Sequence, residues 1–195
     1  MTVLDERPLA ARRAMIDSQL RVSGVNEPAV LAAFDAVARE DFVPEALKAN
    51  AYIDRALPLE GGAMLPAPLV HGRMLIEARP AAGEDVLVVS ASGYLAALLG
   101  QFGCKVAVQE PAEAAAAKKG STVSLILIDG AVEQVPTGLA ARLAEGGRIV
   151  TGTVERGVTR LASGTKIGGA LALFPLADIG MPVLSEFAAP RAWSF

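Results

Sequence analysis

Gly83-Glu84-Asp85-Val86-Leu87-Val88-Val89-Ser90-Ala91-Ser92-Gly93-Tyr94 is the stretch that decides the fold. Val86 to Val89 is a short, wholly apolar run in which three of the four residues are β-branched, which suits a strand covered on both faces. Ser92-Gly93 makes a turn, and Tyr94 to Phe102 reads as the helix after it. From Val86 to Cys104 there is no charged residue, a length close to a membrane span. The serines and glycines inside it, and the change from β-branched to Ala/Leu-rich sequence, favour strand, turn and helix instead. No apolar signal segment follows Asp5-Glu6-Arg7. The expectation is a cytoplasmic protein without a membrane partner.

Downstream the alternation continues. Val106-Ala107-Val108 is a second strand ending at Gln109-Glu110, and Ala112 to Lys119 a short helix. Ser124 to Asp129 is a third strand, Pro136 to Ala144 a helix stopped by Gly146-Gly147, and Arg148-Ile149-Val150 a fourth strand. Strand and helix in alternation call for a doubly wound, mostly parallel α/β sheet. The apolar runs between Gly157 and Asp178, around Ser163-Gly164 and Gly168-Gly169, read as a β-hairpin at its edge.

Upstream of Gly83 the pattern is helical with loops. Ala11 to Val22 reads as one helix. Asn26-Glu27-Pro28 starts another, since Pro is tolerated in a first helical turn. Leu57 to Pro68 is rich in Gly and Pro and reads as loop. The chain thus divides into an N-terminal extension (1–82) and a core (83–195) forming one compact unit.

The composition sets bounds on function. Of the 195 residues 52% are hydrophobic but only 5% aromatic, so the apolar content is Ala, Val, Leu and Ile, as two-sided sheet burial requires. With 18 Lys and Arg against 21 Asp and Glu, the chain lacks the basic surplus of a phosphate-contacting nucleic-acid binder. One Cys and one His leave no basis for a disulfide framework, a cysteine zinc site or His-rich metal chemistry.

Ligands of such sheets bind at the carboxyl ends of the strands. The residues there are Ser90, Ser92, Gly93 and Tyr94 after the first strand, Glu110 after the second and Asp129 after the third. Each also has a plain structural reading: Glu110 as a solvated acid, Asp129 as a turn residue with Gly130, and His71 as a satisfied or exposed side chain. A hydrolase nucleophile elbow is absent, because G-x-S-x-G is not present and no His follows Ser92.

Several motifs resemble the protein-L-isoaspartate O-methyltransferases, enzymes that use S-adenosylmethionine to methylate isoaspartyl carboxylates in damaged proteins. They are Met15-Ile16-Asp17-Ser18-Gln19-Leu20-Arg21 with Gly24, Arg39-Glu40-Asp41-Phe42-Val43-Pro44, Ala51-Tyr52-Ile53-Asp54-Arg55-Ala56-Leu57-Pro58-Leu59, and Gly146-Gly147-Arg148-Ile149-Val150. The resemblance implies a Rossmann-like methyltransferase fold. It also implies S-adenosylmethionine as cofactor and an isoaspartyl protein as substrate. Cofactor contacts would come from Ser90, Ser92, Gly93, Tyr94, Glu110 (on the ribose) and Asp129, and substrate contacts from Met64 and Pro66. No general base or nucleophile is needed, since the accepting carboxylate is already ionised at neutral pH.

The departures from that family are specific. Its cofactor loop is of the type G-[ST]-G-[ST]-G-Y, preceded by an acid. Here Val88 replaces the acid, Ser90-Ala91 replace Gly-Thr, and the loop is one residue shorter. In the substrate loop, G-x-T-x-S-Q-P has become Gly62-Ala63-Met64-Leu65-Pro66-Ala67-Pro68, so both hydroxyls are lost. Between Glu110 and the third strand there is room for one short helix only. The sheet is therefore expected to lack its outermost strand on that side, and the adenine wall with it. These departures imply impaired cofactor and substrate sites, or a non-catalytic binding or structural protein. They also imply a bare sheet edge at Val106 to Gln109, expected to be covered in a homodimer.

Overall fold

A computed structural model describes residues 3–118 and 120–190. The helices are α1 (Val3–Met15), α2 (Pro28–Ala36), α3 (Pro68–Ala78), α4 (Tyr94–Gly100), α5 (Pro111–Ala116) and α6 (Thr137–Ala141). The strands are β1 (Leu57–Pro58), β2 (Met64–Leu65), β3 (Asp85–Val89), β4 (Lys105–Gln109), β5 (Val123–Val132), β6 (Leu143–Glu155), β7 (Val158–Ile167), β8 (Ala170–Leu171) and β9 (Phe174–Asp178). β1 and β2 form their own antiparallel ladder within the stretch expected as loop. The main sheet runs β4-β3-β5-β6-β7-β8, with β9 also paired to β7. β3 is parallel to β4 and β5, and β5 to β6. β7 is antiparallel to β6 and β9. β4 is the outermost strand on its side, as expected from the short link after Glu110.

Two-sided burial is visible residue by residue. Val86 and Val88 face one hydrophobic cluster, with Leu125, Leu127, Val150, α3, α4 and the N-terminal layer. Leu87 and Val89 face the other, with Ile126, Ile128, Ile149, Ala114 and Leu139. All four residues of the run are fully buried. Each is worth about 1.5–3 kcal/mol of burial, which fixes the strand's register between its neighbours.

Several boundaries differ from the sequence expectation. The first helix starts earlier, and after Met15 it loosens into a π-turn (Ile16–Leu20) and a tight turn ending at Gly24, which has φ +85°. The helix expected over Ala112 to Lys119 stops at Ala116, and Lys119 itself lies outside the described residues. α6 ends at Ala141, and β6 begins at Leu143, before Gly146-Gly147; those glycines lie within the strand. Ser163-Gly164 is strand interior, and the turns fall at Arg156-Gly157 and Gly168-Gly169. A Cβ on Gly164 would come within 2.3 Å of the Ala172 carbonyl oxygen, so this glycine permits close packing of backbone. Among the described residues, no helix is long and apolar enough to cross a membrane.

Candidate functional site

The chain leaves β3 outward to β4 and returns on the other side through β5. This puts the strand-order reversal between the carboxyl ends of β3 and β5, where a crevice forms. Ser90 ends β3 and Asp129 lies in β5 beside it. The Ser90 hydroxyl donates to Asp129 Oδ2 at 2.7 Å. On its other oxygen Asp129 meets His71 Nε2, also at 2.7 Å, from α3. Arg39 Nη1 lies 3.5 Å from His71 Nδ1. A guanidinium can only donate, so Nδ1 accepts and Nε2–H donates to Asp129. Arg39 further donates to the Ala51 carbonyl at 2.8 Å and to the Pro66 carbonyl at 2.6 Å. Its guanidinium lies over the Tyr94 ring, 5.0 Å from the centroid.

Arg39 and His71 are fully buried, and Ser90 and Asp129 nearly so. Burial pulls the Arg39 pKa below its ordinary value, opposed by the neighbouring Tyr94 and Asp129. Burial likewise pushes the Tyr94 phenol upward. The result is a guanidinium and a carboxyl bridged by one imidazole, with Ser90 closing the far end. It is not a nucleophilic triad. The carboxyl sits in the middle, His71 does not touch the hydroxyl, and Ser90 is only 2% exposed.

The turn after β3 uses its own donors. The Ser92 amide donates to Ser90 Oγ at 3.1 Å, the Tyr94 amide to Ser92 Oγ at 3.2 Å, and the Ser90 amide to the Gln109 carbonyl at 3.0 Å. Gly93 takes φ +73° and starts α4. Side-chain oxygens thus occupy amides that a glycine-rich turn would offer to a ligand.

Beside this closed turn lies a cavity of ≈ 500 Å³. Ala91, Glu110, Pro111 and Ala112 line it from the β3 and β4 ends, Asp129 from β5, and Glu60 to Met64 from the β1–β2 link. Pro182 to Glu186 close its remaining side. That C-terminal segment is held by a bridge between Ala131 and Val183 and by Phe187, which is buried against the sheet. It needs Gly130 bare, because a Cβ there would come within 2.7 Å of Leu184.

The candidate residues therefore separate. Glu110, Asp129 and Met64 share the cavity. Ser92 lines a shallower groove with Phe42 and Leu59, while Ser90, Tyr94 and Pro66 are buried in or beneath the polar chain. Glu110 is exposed and makes no side-chain hydrogen bond among the described residues. Asp129 is inside a strand, not a turn, and its partners come from distant sequence. Sequence reasoning does not single out Arg39, His71 or the C-terminal wall as site residues. A lone His on an apolar helix is the available signal for His71, and nothing in the sequence marks the wall.

A second polar cluster underlies the N-terminal layer. Tyr52 receives a 2.8 Å hydrogen bond from Arg12 Nε and donates to Glu40. Burial and the Glu40 bond push the Tyr52 phenol up to about 12, against the Arg12 bond. Asp54 and Arg55, which match the family equally well, are exposed.

Comparison with known proteins fits this geometry. The family model for protein-L-isoaspartate(D-aspartate) O-methyltransferase matches residues 10–114, ending inside α5 just past Glu110. The protein-L-isoaspartate O-methyltransferase of Methylorubrum populi is 35% identical over 166 residues, 72% of this chain and 78% of that protein. That of Koribacter versatilis is 34% identical over 165 residues, covering 71% and 74%. A Plasmodium falciparum structure described as a putative protein-L-isoaspartate O-methyltransferase in complex with S-adenosyl-L-homocysteine superposes with a TM-score of 0.72. It is 17% identical, over 90% of this chain and 98% of that one, a likeness of fold. By the extent of the family match and the identity of these relatives, the chain belongs to the protein-L-isoaspartate O-methyltransferase family.

Proposed function

We propose that this family member has lost, or nearly lost, S-adenosylmethionine-dependent methyl transfer to isoaspartyl protein, and that its cofactor and substrate sites are remodelled. One observation carries the reading: the turn after β3 bonds its own Ser92 and Tyr94 amides to Ser90 and Ser92 hydroxyls. The two halves of the cofactor position fit unequally. On the nucleoside side Glu110 is exposed at the end of β4, free to accept from a pair of ribose hydroxyls. On the methionine side the turn offers Ser90, Ala91 and Asp129 in place of bare backbone. The substrate loop supports the same reading, since Met64 lines the cavity with a thioether and Pro66 turns its carbonyl to Arg39. Neither donates to an isoaspartyl carboxylate.

Calorimetric titration with S-adenosylmethionine, followed by a methyl-transfer assay on an isoaspartyl peptide, tests this. The expected result is no heat, or affinity weaker than millimolar, and no methyl ester. Tight binding with turnover overturns it.

A non-catalytic role as a binding or structural protein is the second reading, supported by β4. Ala107 and Val108 are exposed on this outermost strand, and Val108 is 48% accessible. A second copy pairing along Val106 to Gln109, or over its helical layer, would bury that edge. Sizing and small-angle scattering should give a dimer; a clean monomer removes this reading. We place the chain in the cytoplasm, as one unit whose 1–82 extension packs on its 83–195 core.

A further inference from the structure

We propose that a second copy of this chain adds its own β4 antiparallel to β4, about a two-fold axis at Ala107, so that the two sheets join into one. This rests on the reading of β4 as an edge covered by a second copy, and it adds the residue-by-residue register. Three features of the strand lead to it.

The first is the direction of its backbone groups. The Lys105 amide donates to the Glu84 carbonyl at 2.8 Å, and the Gln109 carbonyl accepts from the Ser90 amide at 3.0 Å. A strand offers one neighbour its alternate residues, so Lys105, Ala107 and Gln109 turn their groups to β3. Val106 and Val108 turn theirs outward, and no other hydrogen bond among the described residues takes them. An outward pair of this spacing is self-complementary. Rotated about Ala107, Val106 meets Val108 of the partner subunit, and residues so opposed exchange N–H···O bonds in both directions.

The second is charge. Lys105 and Gln109 lie on the α5 face of the sheet, beside Asp85 and Val89. The rotation keeps each face on its own side and sets Lys105 opposite Gln109 of the partner subunit. Gln109 Nε2 donates to Glu113 Oε1 at 3.3 Å, while its oxygen is held by Arg142. The Lys105 ammonium therefore comes within reach of the exposed carboxylate of Glu113 of the partner subunit, once at each end. A parallel strand in register would set Lys105 against its own copy, and like charges directly opposed are destabilising.

The third is shape. Val106 is half-buried and Val108 is 48% exposed, both on the face of Val86 and Val88. The rotation lays the Val106 and Val108 side chains of both copies next to one another as one apolar patch. At the centre Ala107 meets its own copy in a non-hydrogen-bonded pair, the closer kind, with Cα atoms about 4.5 Å apart. A small exposed side chain stands at that point.

The test uses the full chain. Wild type should be a dimer by sizing and small-angle scattering. Val108→Pro removes one outward N–H and leaves the bonds to β3 in place, so it should give a monomer with unchanged circular dichroism. Cys104 is the only cysteine, so a Cys104→Ser background carries no thiol. In that background Ala107→Cys should be joined by air oxidation into a disulfide-linked dimer, because the central pair falls within the disulfide span of about 4.4–6.8 Å. Val108→Cys should not be joined, since its two copies lie about 8 Å apart in this register. A wild-type monomer overturns the covered edge and the register together. A dimer that survives Val108→Pro and is not linked at Ala107→Cys keeps a second copy but overturns pairing through β4. Linkage at Val108→Cys in place of Ala107→Cys overturns the register alone.

Discussion

The turns after β3 and after β4 are neighbours on one sheet edge, built from the same strand-to-helix transition, yet they ended in opposite states. The β3 turn is closed. Ser90 and Ser92 bond its amides, and Ser90 joins a buried chain through Asp129 and His71 to Arg39. The β4 turn is open, with Glu110 exposed and Pro111 starting α5. In the crevice between them, one half is closed by side-chain hydroxyls and a carboxyl from β5, and the other half is left open. Side chains that satisfy a turn's donors internally stabilise it and withdraw it from binding by the same contacts.

Substitutions in the two turns should therefore differ most in stability. Asp129→Ala leaves His71 and the Ser90 hydroxyl without their acceptor and removes the carboxylate that faces the buried Arg39 through His71. Breaking a buried charged set from one side costs about 3–5 kcal/mol, read as a fall in denaturant midpoint. A loss below about 1 kcal/mol would mean that the polar chain is not holding the closed turn. Ser90→Ala is milder: it strips one donor from Asp129 and one acceptor from the Ser92 amide, for about 1–3 kcal/mol. Hydrogen exchange at the Ser92 and Tyr94 amides should quicken with it, and unchanged exchange would speak against internal closure.

The N-terminal polar cluster around Tyr52 gives a pH-dependent check. The folded state holds the Tyr52 proton more tightly than the unfolded chain, with its pKa raised from the ordinary tyrosine value of 10.0 to about 12. Its contribution is complete below the unfolded value and is lost as pH rises through the folded one. An alkaline absorbance titration should thus show Tyr52 ionising near 12, with stability falling over that window. Ionisation near the ordinary value would contradict its burial against Arg12 and Glu40. The smallest effect belongs to the open turn: Glu110→Ala should change stability by no more than about 0.5 kcal/mol. A large loss would show that Glu110 is structural and that the β4 turn is held as firmly as its neighbour.

Much of this architecture is legible in the amino-acid order alone. The run Val86 to Val89 announces a strand buried on both faces, and the short link after Glu110 announces β4 as an outermost strand. The altered loop residues can be read one by one. Element ends are less legible. Gly146-Gly147 looks like a helix stop but lies inside β6, at the irregularity where the ladder to β5 jumps from Leu143 to Arg148 and Gly146 takes φ +74°. The candidate site is legible as a place but not as a network. Asp129 reads as a turn residue because its partners are 39 and 58 residues away in the chain.

The sequence by itself determined the sheet, its parallel order, the family and the residues that replace the family's glycines and hydroxyls. These follow from periodicity and local composition, which act between near neighbours. Only the tertiary structure decided what the replacements do. It brought Arg39, His71, Asp129 and Ser90 from four separate segments to one buried point, and it laid Pro182 to Glu186 along the cavity. Such contacts depend on how distant segments pack, and on the general need of buried polar groups for partners.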